Sequence, residues 1–167
     1  IWGKSLGVPV WQLLGGKVRD RVKVYTHLGM GQMEAVYESL EEEPLIARAQ
    51  QVRDHGYRAI KVVNIPYTHY SAGLAELDRL ARMTARLREV LGCECEIMID
   101  FHGRPASARA ALQYVEAVAP ARPLFIEEPV QPGDTAGLEF VHRNSPVPVA
   151  SGERLIDLAD FAALFEA

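Results

Sequence analysis

Short apolar segments of this chain alternate with amphipathic segments, and this alternation constrains the fold more than any other feature. Strands are predicted where β-branched and aromatic residues cluster, at residues 22–28, 58–64, 96–102, 124–129 and 148–153. Helices are predicted where apolar residues recur at helical spacing, at residues 44–55, 74–91, 106–118, 134–142 and 156–165. Because no hairpin signal joins two strands, the alternation favours a parallel sheet with right-handed crossovers.

Two architectures are compatible with such a sheet: an open doubly wound sheet and a (β/α)8 barrel. The glycine-rich fingerprint of dinucleotide-binding folds follows none of the predicted strands. A complete barrel takes about 250 residues. We therefore expect an α/β chain in which residues 22–167 form the first part of a TIM-type (β/α)8 barrel, with about five βα units. Residues 1–21 do not fit the repeat, and we interpret residues 10–14 as the last helix of a preceding domain, followed by a linker.

Charge and hydropathy exclude two classes of partner. The chain has 18 Lys plus Arg against 22 Asp plus Glu, a formal net charge of -4 and no basic block, so we expect no nucleic acid partner. No uncharged apolar run approaches the ~18 residues of a membrane helix, so we expect no membrane partner. The chain begins with neither Met nor a signal-peptide pattern, and we interpret it as part of a longer protein. Two closely spaced cysteines are expected to be reduced thiols, which indicates a cytoplasmic location.

Acidic residues stand at the ends of three successive predicted strands. Asp100 ends the third strand, Glu127 and Glu128 end the fourth, and Glu153 ends the fifth. Asp100 precedes Glu127 by 27 residues and Glu127 precedes Glu153 by 26, one strand–helix unit each. In a parallel sheet these acids would meet at the carboxyl edge, where active sites of such folds lie.

The side-chain alternation of strands predicts which of these acids converge. If Asp100, Glu127 and Glu153 point inward, three carboxylates would repel one another unless a cation compensates them. Oxygen ligands favour Mg²⁺ over zinc, so we predict a magnesium site there. Alternation puts Glu128 on the opposite face from Glu127. The alternative interpretation is that each acid is a helix cap or a surface charge.

Two basic side chains are candidates for proton transfer beside the acids. His102 follows Asp100 by two residues, on the same predicted face, and imidazole titrates near neutrality. Lys61 lies inside the second predicted strand and could act as a base or as the charge partner of a carboxylate. An exposed Lys61 whose ammonium reaches solvent is the alternative.

Further residues could line the mouth of the barrel. His27 ends the first predicted strand, and Tyr67 and Tyr70 lie on the loop after the second, where they could contact a polyhydroxylated substrate. Arg104 could pair with a carboxylate of the site or of a substrate. Each of these residues could equally belong to a packed surface loop.

Several segments of the sequence resemble the enolase superfamily, and in particular its mandelate-racemase-type sugar-acid dehydratases of the galactonate type. They are residues 98–104 (MIDFHGR), 123–129 (PLFIEEP) and 151–154 (SGER). Residues 1–16, which contain GVPVWQLLGG, are similar to the stretch that links the capping domain of that family to its barrel. The resemblance covers nearly the whole chain, and it implies that residues 1–21 end an N-terminal capping domain.

The resemblance implies a ligand set and a reaction. Asp100, Glu127 and Glu153 would bind Mg²⁺, and Glu128 would lie behind them. The reaction would be abstraction of the proton α to the carboxylate of a sugar acid, followed by loss of the β-hydroxyl to give a 2-keto-3-deoxy acid. His102 would protonate the departing hydroxyl. The metal and positioned donors would stabilise the negative charge that develops.

Two departures from the family pattern leave alternatives open. The family often has a Lys-x-Lys pair on the second strand, but here Val63 follows Lys61 in the second Lys position. The dehydratases take their base from a His–Asp pair on the sixth and seventh strands, beyond residue 167. A racemase, a mannonate-type dehydratase that uses Tyr67 or Tyr70, and a catalytically incomplete fragment that self-associates remain alternatives. The complete enzyme is expected to be a homo-oligomer that acts on a small sugar acid.

Overall fold

The computed structural model describes residues 1–28, 41–68 and 70–166. Strands and helices alternate through it after two short N-terminal helices. The helices are α1 (Trp2–Leu6), α2 (Val10–Leu13), α3 (Glu42–Asp54), α4 (Leu74–Leu91), α5 (Ala108–Val118), α6 (Thr135–Asn144) and α7 (Leu158–Glu166), with a 3-10 turn at Ala119–Ala121. The strands are β1 (Thr26–His27), β2 (Ala59–Val62), β3 (Glu96–Asp100), β4 (Phe125–Glu127) and β5 (Val149–Ala150).

The strand order decides between the two architectures. The described strands form one parallel sheet in the order β1-β2-β3-β4-β5, so each strand pairs with its neighbour in sequence. A doubly wound sheet reverses its strand order at a switch point, and this sheet does not. Consecutive helices from α3 to α6 also contact one another. This is the winding of a barrel, and the predicted alternation of strands and helices is confirmed.

The hydrophobic core lies between the sheet and the helices α3 to α6. One face of the strands supplies Ile60, Val62, Ile97, Ile99 and Ile126, all buried in a single cluster with apolar residues of these helices. Burying one such side chain contributes about 1.5–3 kcal/mol. Successive strand residues point to opposite faces of the sheet. The residues that alternate with these apolar residues therefore lie on the face opposite the core.

The helix boundaries follow local signals. Helix α4 buries Leu80, Met83, Leu87 and Leu91 on one stripe and stops at Gly92, whose φ is 69°. Ser107 and Asp134 are the N-cap residues of helices α5 and α6. Each side chain accepts a hydrogen bond from the backbone N–H of the residue three positions later. No helix among the described residues is long and apolar enough to cross a membrane.

The strands at the two edges of the sheet are shorter than predicted. The first was expected over residues 22–28, but only Thr26–His27 pair with β2, while Val22 and Val24 are 72% and 68% exposed. The fifth was expected over residues 148–153 and pairs only over Val149–Ala150. An edge strand has a partner strand on one side only. Its length therefore depends on how far the two segments run side by side, and not on the β-propensity of its residues alone.

Candidate active site

The carboxyl ends of the strands bring most of the candidate residues to one edge of the sheet. Asp100 and Glu127, the last residues of β3 and β4, are directly paired in register. Lys61 of β2 pairs with Met98 of β3, two residues before Asp100. Asp100 and Glu127 are therefore neighbours in one register row. Lys61 lies two residues earlier along the sheet, from where its long side chain reaches both acids.

Lys61 makes an ion pair with two of these acids. Its Nζ donates to Oε1 and Oε2 of Glu127, at 2.7 and 2.8 Å, and lies 3.6 Å from Oδ2 of Asp100. The side chains of Lys61, Asp100 and Glu127 are 12%, 5% and 14% exposed, so water screens these charges little. Burial by itself would lower the pKa of Lys61, but the hydrogen bond and negative charge of Glu127, with the charge of Asp100, raise that pKa above 10.5. Lys61 is therefore an ammonium at any physiological pH.

His102 connects Asp100 to the third acid. Its Nδ1 lies 3.5 Å from Oδ2 of Asp100 and 3.5 Å from Oε1 of Glu153, which is half-exposed beyond the end of β5. Its backbone N–H donates to Oδ1 of Asp100 at 2.8 Å. Strand alternation does not extend to His102, because β3 ends at Asp100 and His102 has a φ of 54°. This left-handed backbone turns the imidazole back towards the acids.

Glu128 follows the end of β4 with a φ of 44°, so strand alternation does not extend to it. Its Oε1 accepts hydrogen bonds from the Ser151 hydroxyl at 3.0 Å and from the Gly152 N–H at 2.7 Å. Its carboxylate is buried, and Oε2 lies 3.7 Å from Nη1 of Arg154. Glu128 therefore joins the loop after β4 to the loop after β5.

Arg154 is a residue that sequence reasoning missed. Its Nη2 donates to the carbonyl of His102 at 3.0 Å and lies 3.8 Å from Oε1 of Glu153. Gly103, with a φ of 64°, gives it room, since a Cβ at Gly103 would lie 2.9 Å from Nη1 of Arg154. The signal in the sequence that could have identified Arg154 is its position directly after Glu153, at the end of the fifth predicted strand.

Arg104 and the tyrosines form the neighbouring wall. The buried Arg104 donates from Nη1 to the carbonyl of Ile65 at 2.5 Å, and its guanidinium lies 5.1 Å from the ring centroid of Tyr67. Tyr67 and Tyr70 are 77% and 79% exposed. Arg104 thus holds the loop after β2 against the loop after β3. The sequence predicted a pairing of Arg104 with a carboxylate and did not predict this contact between loops.

His27 lies next to Lys61 in the register of β1 and β2. Burial lowers the pKa of His27 below its ordinary value of 6.5, and the positive charge of Lys61 lowers it further, against the opposing effect of Asp100. His27 therefore lies at the same edge of the sheet as Lys61 and Asp100.

The three acids fit a hard divalent cation by their chemistry, because all of their donor atoms are carboxylate oxygens. Across residues 1–28, 41–68 and 70–166, however, no group of three or more histidine, cysteine or acidic side chains surrounds a point that could hold a metal ion. Both oxygens of Glu127 are instead hydrogen-bonded to Lys61. The donor set fits, while its side chains are arranged around an ammonium.

Comparison with known proteins gives consistent results. The family model "Enolase C-terminal domain-like" matches residues 44–167. D-galactonate dehydratase from Klebsiella pneumoniae (strain 342) is 33% identical over 167 residues, which are 100% of this chain and 41% of that protein.

Two solved structures illustrate the likeness in fold. A mandelate racemase/muconate lactonizing enzyme from Sulfitobacter sp matches with a TM-score of 0.86 and 30% identity, over 99% of this chain and 43% of that one. A member of the enolase superfamily from Salmonella Typhimurium matches with a TM-score of 0.87 and 25% identity, over 99% and 45%. The chain thus spans less than half the length of these relatives. Its five βα units correspond to part of their barrel, and the chain belongs to the enolase superfamily as a stretch of its C-terminal domain.

Proposed function

We propose that this chain carries the metal-binding edge of a Mg²⁺-dependent sugar-acid dehydratase that acts on a galactonate-like substrate. The observation that supports this most is a pair of bridging contacts at one edge of the sheet. Lys61 contacts Asp100 and Glu127, and His102 lies 3.5 Å from Asp100 and Glu153. The 33% identity to a D-galactonate dehydratase supports the reaction class. In this proposal residues 1–21 are the end of the capping domain and its linker.

Asp100, Glu127 and Glu153 would hold the cation. When bound, Mg²⁺ supplies positive charge that stabilises the negative charge developing on the substrate carboxylate after the α-proton is removed. Glu128 and Arg154 do not bind the cation in this proposal. They hold the backbone of the loops that carry Glu153 and His102.

His102 is proposed as the acid of the elimination. Its Nδ1 faces the acids that would hold the cation, so a proton carried there is delivered beside the bound substrate. The C–O bond of the β-hydroxyl breaks, the oxygen takes the proton from Nδ1 and leaves as water, and a double bond forms between the α and β carbons. No lysine base is proposed at the second position of β2's Lys-x-Lys pattern, because Val63 stands there.

A mannonate-type dehydratase is the second candidate. The exposed ring of Tyr67 is held by Arg104, which favours a role at the mouth of the site. Replacement of Tyr67 by phenylalanine separates the two candidates, because a galactonate-type enzyme would keep its turnover and an enzyme that uses the phenol as base would lose it.

The experiment uses the full-length protein that contains this chain. Aldonic acids are incubated with Mg²⁺ or with EDTA, and 2-keto-3-deoxy products are detected with semicarbazide. We expect dehydration only with Mg²⁺, and loss of both Mg²⁺ binding and turnover in Glu127→Gln and Asp100→Asn. Glu139→Gln is the matched control and keeps both, because Glu139 is a half-exposed acid on α6 that pairs with Arg143. Unchanged turnover in either site variant would remove that acid from the ligand set.

A further inference from the structure

The Lys61 ammonium lies between two of the acids proposed to bind the metal. It donates to both oxygens of Glu127 and lies 3.6 Å from Asp100, and these three side chains are largely shielded from water. On its other side the ammonium faces the ring of Tyr25, 5.6 Å from the ring centroid. The lysine is thus surrounded by groups that attract a cation.

Two further basic side chains, Arg154 and His102, lie at this edge. Arg154 bonds to the His102 carbonyl and lies nearest Glu153 and Glu128. His102 lies 3.5 Å from Asp100 and Glu153. Among the described residues, Lys61 is therefore the one permanent charge that compensates the adjacent pair of Asp100 and Glu127. Without it, the buried carboxylate of Asp100 and the partly buried carboxylate of Glu127 would repel each other.

A divalent cation and this ammonium compete for the same oxygens. The cation needs an oxygen of Glu127, but Lys61 engages both of them. A cation bound at these oxygens would lie close to the Lys61 ammonium, and the repulsion between the two positive charges opposes the Lys61–Glu127 ion pair.

We propose that Lys61 is a built-in counter-ion of the metal site. It holds Asp100 and Glu127 together in the metal-free protein, and it lowers the affinity of the site for Mg²⁺. This inference rests on the proposed metal site. It concerns the affinity and the metal-free state of that site and does not depend on which sugar acid is dehydrated.

The test is the variant Lys61→Met in the full-length protein, with Mg²⁺ binding measured by isothermal titration calorimetry. Methionine is an unbranched side chain only one heavy atom shorter than lysine, and it carries no charge. We expect Mg²⁺ to bind roughly tenfold more tightly than to the wild type, since the competing charge is gone. In EDTA the variant should melt at a lower temperature than the wild type, and saturating Mg²⁺ should raise its melting temperature by more.

Two controls separate this role from a general charge effect. Lys17→Met removes the same charge from an exposed ion pair with Asp20 and should leave the Kd for Mg²⁺ unchanged. Lys61→Arg keeps the charge and should bind Mg²⁺ less tightly than Lys61→Met. Unchanged or weaker Mg²⁺ binding by Lys61→Met would overturn the inference while leaving the metal site in place. A wild type that does not bind Mg²⁺ at all would instead overturn the proposed function.

A measurement on the wild type does not depend on the folding of any variant. Acetic anhydride labelling followed by mass spectrometry reports how accessible the Lys61 amine is. If Mg²⁺ displaces Lys61 from Glu127, Lys61 should be labelled faster with Mg²⁺ than with EDTA, while Lys17 should be labelled equally in both. Equal labelling of Lys61 in both conditions would contradict the proposed competition.

Discussion

Replacing Gly103 by alanine tests how the loops after the strands hold His102. Gly103 has a φ of 64°, so any side chain there is strained by roughly 1–2 kcal/mol. The new Cβ would lie 2.9 Å from Nη1 of Arg154 and 3.1 Å from the carbonyl oxygen of Val130. The guanidinium is the flexible end of its side chain, so it moves away instead of overlapping. Moving it costs the hydrogen bond from Nη2 to the His102 carbonyl.

The magnitude follows from these two contributions. A hydrogen bond to a charged group contributes about 1.5–3 kcal/mol, and the lower end applies because Arg154 is partly exposed. Gly103→Ala should therefore lower the free energy of unfolding by roughly 2.5–3.5 kcal/mol. Gly56→Ala is the matched control. Its φ of 95° imposes a similar backbone strain, but no atom lies within 4 Å of the added Cβ, so it should lose only about 1–2 kcal/mol.

The assay is urea unfolding of the full-length variants, followed by turnover and Mg²⁺ binding. Because Arg154 would release the His102 backbone, kcat should fall in Gly103→Ala while Mg²⁺ still binds. Equal destabilisation by Gly103→Ala and Gly56→Ala would refute the reasoning, since it would show that the contact with Arg154 carries no stability.

Three further predictions concern single contacts. The pKa of His27 is lower in the folded protein than in the unfolded chain. As the pH falls, the unfolded chain therefore takes up this proton at a higher pH than the folded protein does. The free energy of unfolding should fall as the pH drops below about 6.5. His27→Gln should lose less free energy of unfolding between about pH 7 and pH 5.5 than the wild type, and parallel losses would contradict this. Glu128→Ala leaves the Gly152 N–H without its acceptor and should cost about 1–3 kcal/mol in urea unfolding, more than alanine at the half-exposed Glu139. Burial and the Glu76 carboxylate raise the pKa of Tyr114 to about 12, so ultraviolet titration of the wild type should show one phenol ionising near that pH that is absent in Tyr114→Phe.

Local sequence signals predicted the helices better than the strands. Helix α4 was predicted over the residues at which it occurs, because its apolar stripe and the following glycine both act within one segment. The strands at the sheet edges were predicted too long. Strand ends depend on a partner from another part of the chain, and residues 22–25 have β-forming side chains but no partner strand.

The candidate site was predicted in part for the same reason. Acids spaced by one strand–helix unit were expected at one edge, and the structure brings Asp100, Glu127 and Glu153 to that edge. The role of Lys61 stayed open between a base and a charge partner, and only the pairing of β2 with β3 places it against Glu127. Arg154 was missed because its partner, the His102 carbonyl, is 52 residues away in sequence.

The sequence by itself determined the alternation of strands and helices and the edge at which the acids meet, because periodicity and strand direction act along a continuous segment. The tertiary structure alone decided which charges compensate these acids and how the His102 backbone is held. Those contacts join side chains from different βα units, and their distances depend on strand register and on left-handed residues such as His102 and Gly103.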